Sequence, residues 1–178
     1  MIVVHMPARV GQPAPDFEAE AYQKGKGKVK VRLSDYKGKW VVLFYYPLDF
    51  TFVCPTEIRA FAAAEKDFEK EKAVVLGASC DSYHSHKNWF ERELQEVDFP
   101  VIADKNGKVA DEYGIYLPDK GFALRGTFII DDKGVLRHST VNDTDVGRDV
   151  NETLRTLKAF RTGKLCPVGW KEGEKTLN

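Results

Sequence analysis

Trp40-Val41-Val42-Leu43-Phe44-Tyr45-Tyr46-Pro47-Leu48-Asp49-Phe50-Thr51-Phe52-Val53-Cys54-Pro55-Thr56-Glu57 changes character twice. Trp40 to Tyr46 is nearly all apolar and β-branched or aromatic, the pattern of a strand buried on both faces. Pro47 breaks the run, a short loop follows, and a helical pattern begins at Pro55. This places Cys54 in the first turn of a helix, just past the end of a strand. Backbone N–H groups without helical partners and the positive end of the helix dipole favour a thiolate there. Thr51, three residues earlier, can turn its hydroxyl toward the same sulfur. The chain reads as one built around an activated cysteine.

Outward from this segment, the periodicity alternates between strand and helix. Residues 7–27 contain Pro7, Gly11, Pro13, Pro15, Gly25 and Gly27 and read as an N-terminal arm with turns. Val29 to Leu33 alternates apolar and charged residues, as a short edge strand does. Residues 56–70 carry Ile58, Phe61, Ala62, Ala64 and Phe68 at helical spacing. Ala73 to Ala78 reads as a second buried strand. Ser82 to Val97 reads as a helix with Trp89, Phe90 and Leu94 on one face, and Phe99 to Ala103 as a short strand ended by the turn Asp104-Lys105-Asn106-Gly107. Gly126 to Ile130 and Val135 to Thr140 flank Asp131-Asp132-Lys133-Gly134, a hairpin signal. Val146 to Arg161 reads as a last helix, with Val150, Leu154, Leu157 and Phe160 inward and Gly163 as its stop. The order β-α-β-α-β-α-ββ-α predicts an α/β domain with a mixed sheet and one terminal hairpin. The 178 residues fit a single domain, with a core over about 9–160 and an arm over 161–178 that carries Cys166.

Composition narrows the function by exclusion. Lys plus Arg and Asp plus Glu both number 27, so no charge excess points to nucleic acid or an anionic membrane. The 43% hydrophobic fraction is that of a soluble globular protein. The opening residues are too short and too interrupted for a signal peptide, and no apolar stretch approaches the roughly 18 residues of a membrane helix, so a cytoplasmic location is expected. Three cysteines, Cys54, Cys80 and Cys166, make a poor disulfide framework, and no pair has the spacing of a zinc knuckle or a CxxC redox motif. Cys80 reads as inert core. His84-x-His86 lacks a third ligand and reads as a pair of solvated histidines at a helix start.

The run Phe44 to Ile58 resembles the active-site segment of the peroxiredoxins, with the Pro47…Thr51-x-x-Cys54 core whole. Arg125-Gly126-Thr127-Phe128 resembles the segment that supplies that family's active-site arginine. Leu165-Cys166-Pro167-Val168-Gly169-Trp170 resembles the resolving-cysteine segment of the typical two-cysteine subgroup, which includes alkyl hydroperoxide reductase C. The resemblance runs from about residue 9 to the last residue. It implies a thioredoxin-like fold with N- and C-terminal additions, peroxide reduction without a cofactor, haem or metal, and an obligate homodimer that can build a ring-shaped decamer. It assigns Cys54 as the peroxidatic nucleophile, Thr51 as its hydrogen-bonding partner, Arg125 as the group that orients peroxide, and Pro47 as a shield for the thiolate. Cys166 becomes the resolving cysteine, and Glu57 and Arg148 hold the surrounding hydrogen bonds. The residues alone leave open whether a Cys54–Cys166 disulfide forms within or between chains; the resemblance implies between. It further implies a thioredoxin-like or flavoprotein reductase as partner. No Gly-Gly-Leu-Gly motif occurs, and the sequence given ends twelve residues after Cys166 without Tyr-Phe, so a robust, bacterial-type enzyme that resists sulfinic inactivation is expected.

The chemistry explains why more than the cysteine is needed. A cysteine of pKa about 8.5 is about 3% thiolate at pH 7, and one of pKa about 6 is about 90% thiolate. That gain is roughly thirtyfold and saturates, while nucleophilicity falls with pKa. Larger acceleration has to come from donors aimed at the charge that builds on the peroxide oxygens; Thr51, Arg125 and backbone N–H groups of the 51–54 loop are the candidates. The competing enzyme class, a thiol–disulfide oxidoreductase, is disfavoured because Glu57 stands where CxxC has its second cysteine. The non-enzymatic alternative is an oligomeric chaperone or redox sensor.

Overall fold

The structure, a computed structural model, describes residues 7–178; the segment 1–6, on which the signal-peptide reading falls, lies outside the described residues. The described chain opens with a hairpin, β1 (Glu18–Gln23) and β2 (Gly27–Arg32), paired antiparallel from Glu18 opposite Arg32 to Gln23 opposite Gly27. β2 is the expected edge strand. β1 adds a strand to residues 7–27, which read as an N-terminal arm with turns. Its Glu-Ala-Glu-Ala start has weak strand propensity, and pairing on both sides supplies what the residues do not.

β3 (Trp40–Tyr45) is buried along its whole length, and its side chains alternate between two cores. Trp40, Val42, Phe44 and then Tyr46 enter one, where the Phe44 and Phe61 rings stack at 3.9 Å; Val41, Leu43 and Tyr45 enter the other. α1 (Cys54–Lys70) follows, then β4 (Ala73–Ser79), α2 (Tyr83–Glu93), β5 (Val101–Ala103), α3 (Lys108–Glu112), a small separate ladder of β6 (Tyr116–Leu117) and β7 (Phe122–Ala123), the hairpin β8 (Arg125–Ile130) and β9 (Leu136–Asn142), and α4 (Val150–Arg161). The main sheet has seven strands in the order β2-β1-β5-β4-β3-β8-β9, with β3, β4 and β5 parallel and the remaining pairings antiparallel. Residues of α1, α2 and α4 pack into the Phe44 core, and those of α3 and the 3-10 turn Leu33–Tyr36 into the Leu43 core. This is the thioredoxin-like arrangement of a mixed sheet between helices.

Several boundaries differ from expectation for local reasons. α2 ends at Glu93, four residues early, because Leu94 leaves the helical region, yet Leu94 and Val97 remain buried. α4 starts at Val150 rather than Val146: the Asp149 carboxylate accepts from the Asn151 and Glu152 N–H groups and caps the helix there. Arg148 therefore lies in the loop before the helix. α3 is five residues long, too short to leave a periodic signature. No helix among the described residues is long and apolar enough to cross a membrane.

β3 ends toward the first turn of α1, and β8, antiparallel to β3, begins with Arg125 at that same end of the sheet. The topology thus brings Cys54 and Arg125 together across 71 residues of sequence.

Candidate active site

Cys54 is the first residue of α1 and 1% exposed. Pro55 follows within the opening turn, where its missing N–H costs no helical bond. The N–H groups of Thr56 and Glu57 both reach the Val53 carbonyl, at 3.1 and 3.4 Å, and the Thr56 hydroxyl donates to the same oxygen.

Arg125 Nη1 lies 3.4 Å from Cys54 Sγ and donates to Glu57 Oε2 at 2.6 Å. Its Nε and Nη2 fork onto the Thr144 carbonyl at 2.8 and 2.6 Å. The guanidinium is therefore clamped on three sides. Glu57 is shared: Arg148 Nε donates to Oε1 at 2.8 Å, Nη2 to Oε2 at 2.9 Å, and the Arg148 backbone N–H to Oε1 at 3.0 Å. Arg148 Nη1 adds a bond to the Gly126 carbonyl at 2.8 Å, and its guanidinium lies over the Phe44 and Phe61 rings. Burial draws the Arg148 pKa below its ordinary value, and the bond to Glu57 opposes that shift. Two buried guanidiniums share one buried carboxylate, which leaves one formal positive charge beside the sulfur. A thiolate at Cys54 makes the set neutral.

The structure thus assembles Cys54 and Glu57 of α1, Arg125 of β8 and Arg148 of the loop before α4, from three separate stretches of sequence. Pro47 is buried where β3 ends. Thr51 departs from expectation: its hydroxyl donates to the Leu48 carbonyl at 2.9 Å rather than to the sulfur. With its one proton so directed, the oxygen can only accept from a further partner. Cys166 is not brought to Cys54. It sits half-buried past the end of α4, with Sγ 3.5 Å from Thr162 Oγ1 and 3.6 Å from the Ala159 carbonyl. Arg148 and Gly147, which pack on the Glu57 side chain, precede the other end of that helix. The two ends of a twelve-residue helix are about 18 Å apart. All three cysteines are free thiols.

Reading the sequence missed the Thr144 carbonyl, since a backbone acceptor in a loop leaves no residue signature. It also misread His86. Far from being solvated, His86 is fully buried, with Nδ1 2.8 Å from Asp49 Oδ2 and Nε2 3.1 Å from the Ile102 carbonyl; His84 is exposed. The period of α2 carried the signal, because His86 falls one turn before Phe90 on the face that also buries Trp89. Cys80 is buried near Asp104 and Asp81, and desolvation first, then those carboxylates, push its thiol up to about 12.

The family model described as AhpC/TSA matches residues 10–139. A protein described as a putative peroxiredoxin in rubredoxin operon, from Clostridium pasteurianum, is 49% identical over 174 residues, covering 94% of this chain and 98% of that protein. Peroxiredoxin-2 of Macaca fascicularis is 51% identical over 179 residues, covering 96% and 90%. Among solved structures, the reduced 2-Cys peroxiredoxin of Plasmodium vivax superposes with a TM-score of 0.90 at 34% identity, over 96% of this chain and 93% of that one. The AhpC structure of Enterococcus faecalis gives 0.85 at 32% identity, over 91% and 100%.

Proposed function

This chain belongs to the AhpC/TSA family and is a peroxiredoxin, a thiol peroxidase, and on that premise we propose how its residues divide the work. Cys54 is the peroxidatic nucleophile. The observation that carries this is the Arg125 Nη1 to Cys54 Sγ approach of 3.4 Å, in a guanidinium held by Glu57 and the Thr144 carbonyl. The thiolate attacks one peroxide oxygen, the O–O bond breaks, and the other oxygen leaves as hydroxide or alkoxide and takes a proton. Cys54 becomes a sulfenic acid. Arg125 donates to the oxygens as charge grows on them, and Glu57 with Arg148 keeps it in place. Thr51 accepts from the peroxide O–H, the role its hydroxyl direction supports. Pro47 shields the sulfur from water.

The Cys166 thiol then condenses with the sulfenic acid, releasing water and forming the disulfide. Two observations support a bond between chains: Cys54 is recessed, and Cys166 lies past the far end of α4, whereas a disulfide needs Cα atoms within about 7 Å. The first turn of α1 has to open for the bond to form. The family acts on peroxides and forms oligomers; a homodimer, and from it a ring-shaped decamer, is our reading for this chain. It is supported by the edge of β9 beyond Leu136, which no strand of the described residues pairs, and by Phe52, 96% exposed, with Phe50 and Leu48 on the same loop. A thioredoxin-like or flavoprotein dithiol then reduces the disulfide. Three free thiols support a reducing, cytoplasmic location.

Non-reducing electrophoresis after stoichiometric peroxide tests the scheme. Wild type should run as a covalent dimer, and neither Cys54→Ser nor Cys166→Ser should form that species. Peroxide consumption by Cys54→Ser at the wild-type rate would overturn the assignment.

A further inference from the structure

Arg125 from β8 and Arg148 from the loop before α4 meet Glu57 of α1 on one side of Cys54. The loop 47–53, which carries Thr51, is held from a different side. Its anchor is Asp49, buried with both carboxylate oxygens and its N–H directed. Asp49 Oδ1 accepts from the Tyr46 hydroxyl at 2.8 Å, Oδ2 faces His86 Nδ1 at 2.8 Å, and the Asp49 N–H donates to Asp81 Oδ2 at 2.9 Å. Asp81 Oδ2 is fixed in turn by the Ser79 hydroxyl at 2.8 Å. On the far side of the ring, His86 Nε2 faces the Ile102 carbonyl at 3.1 Å.

A carbonyl can only accept, so Nε2 carries a hydrogen. Nδ1 and Asp49 Oδ2 share a second hydrogen between them, so the buried ring ties Asp49 on one side to the Ile102 carbonyl on the other. Such a pair holds a chain segment firmly, because separating it leaves buried polar groups without partners. What it holds is strained: Phe50, the next residue, has φ +57°, and its ring lies 5.5 Å from that of Trp89 on the same helix as His86. A bulky residue in the left-handed region persists where its surroundings fix it. Thr51 follows directly.

We propose that the buried His86–Asp49 pair is a positioning element for the reaction at Cys54, fixing the 47–53 loop so that the Thr51 oxygen faces the incoming peroxide. This rests on the reading of Cys54 as the peroxidatic cysteine. Neither residue touches substrate. The pair acts through the loop and is separate from the Arg125–Glu57–Arg148 cluster that acts on the sulfur.

The test compares reduced wild type with His86→Gln and Asp49→Asn, each verified as folded by circular dichroism. Rapid quench with mass spectrometry gives the rate of Cys54 oxidation by hydrogen peroxide. Alkylation by iodoacetamide at the same pH reports thiolate and access without needing Thr51. The expected result is a loss of about tenfold to a hundredfold against peroxide, the scale of a small misplacement, with alkylation near the wild-type rate. An unchanged peroxide rate in the folded variants overturns the proposal, as does an equal fall in both rates, which would mean the pair acts on the sulfur itself. Should both variants fail to fold, Tyr46→Phe decides. It keeps both members of the pair, removes the hydroxyl that donates to Asp49 Oδ1 and lies 3.4 Å from His86 Nδ1, and should slow peroxide oxidation about threefold to tenfold, an unchanged rate again overturning the proposal. Cys54→Ser, run alongside, separates the two readings. Peroxide turnover in that variant would remove the premise, whatever the His86 variants do.

Discussion

At Arg125, two possible contributions to catalysis differ in size. Any gain through ionisation of a thiol is limited, because the thiolate fraction cannot exceed one. At pH 7 this gain is bounded at roughly thirtyfold from an ordinary cysteine. A donor fixed on the breaking O–O bond is bounded only by the geometry, and loss of one such donor costs about a hundredfold to a thousandfold. Arg125→Ala is therefore expected to lose more than thirtyfold in kcat/KM for peroxide, and raising the pH should not restore it. Recovery at high pH would show that Arg125 acts on ionisation alone. Cys80 offers a contrast. Its thiol is raised from 9.0 to about 12, chiefly by burial, so between those values the unfolded chain has lost a proton that the folded chain keeps. Stability should then fall as pH rises through that interval, and Cys80→Ala should flatten the fall in urea midpoint. In the native protein Cys80 should resist alkylation until the chain unfolds.

Among the elements, legibility followed the strength of the local signal. β3, the β8–β9 hairpin and α1 were readable because a continuous apolar run, an Asp-Asp-Lys-Gly turn and a 3.6-residue period are each set within one stretch of chain. β1 was not, since alanine and glutamate take strand geometry there only between β2 and β5. The site divides the same way. Cys54 and its helix start are local, so the sequence exposes them. The Arg125 fork on Thr144 and the Asp49–His86 contact join residues 19 and 37 apart, and nothing in either stretch marks its partner. The start of α4 shows how one side chain moves a boundary. Asp149 ends the Val146-to-Arg148 segment as loop and so lets Arg148 turn both its backbone N–H and its side chain onto Glu57. Asp149→Ala should lower stability by about 1 kcal/mol, a drop of about 2–4 °C in Tm for a chain of this size by calorimetry.

For the whole molecule, turnover requires parts of different stiffness. The platform of β3 and β4 is packed on both faces, whereas the segment after α4 has no regular element among the described residues. That segment is held by the buried Trp170, an Arg155 bond to its carbonyl at 2.8 Å and the Lys158–Glu172 pair. None of these contacts covers the first turn of α1, so opening that turn is unopposed by the arm. Disulfide, rather than sulfinate, should accumulate at Cys54 during turnover at millimolar peroxide, and mass spectrometry reads the two apart. Rapid sulfinate formation would count against it.

Trp89 is fully buried, and its indole touches the ring of Phe50, four residues from the reacting sulfur. A rearrangement that swings Cys54 outward together with the loop before it changes the polarity around that aromatic pair. The protein thus contains its own optical gauge: tryptophan emission should track opening and resealing of the site in real time, with no label attached.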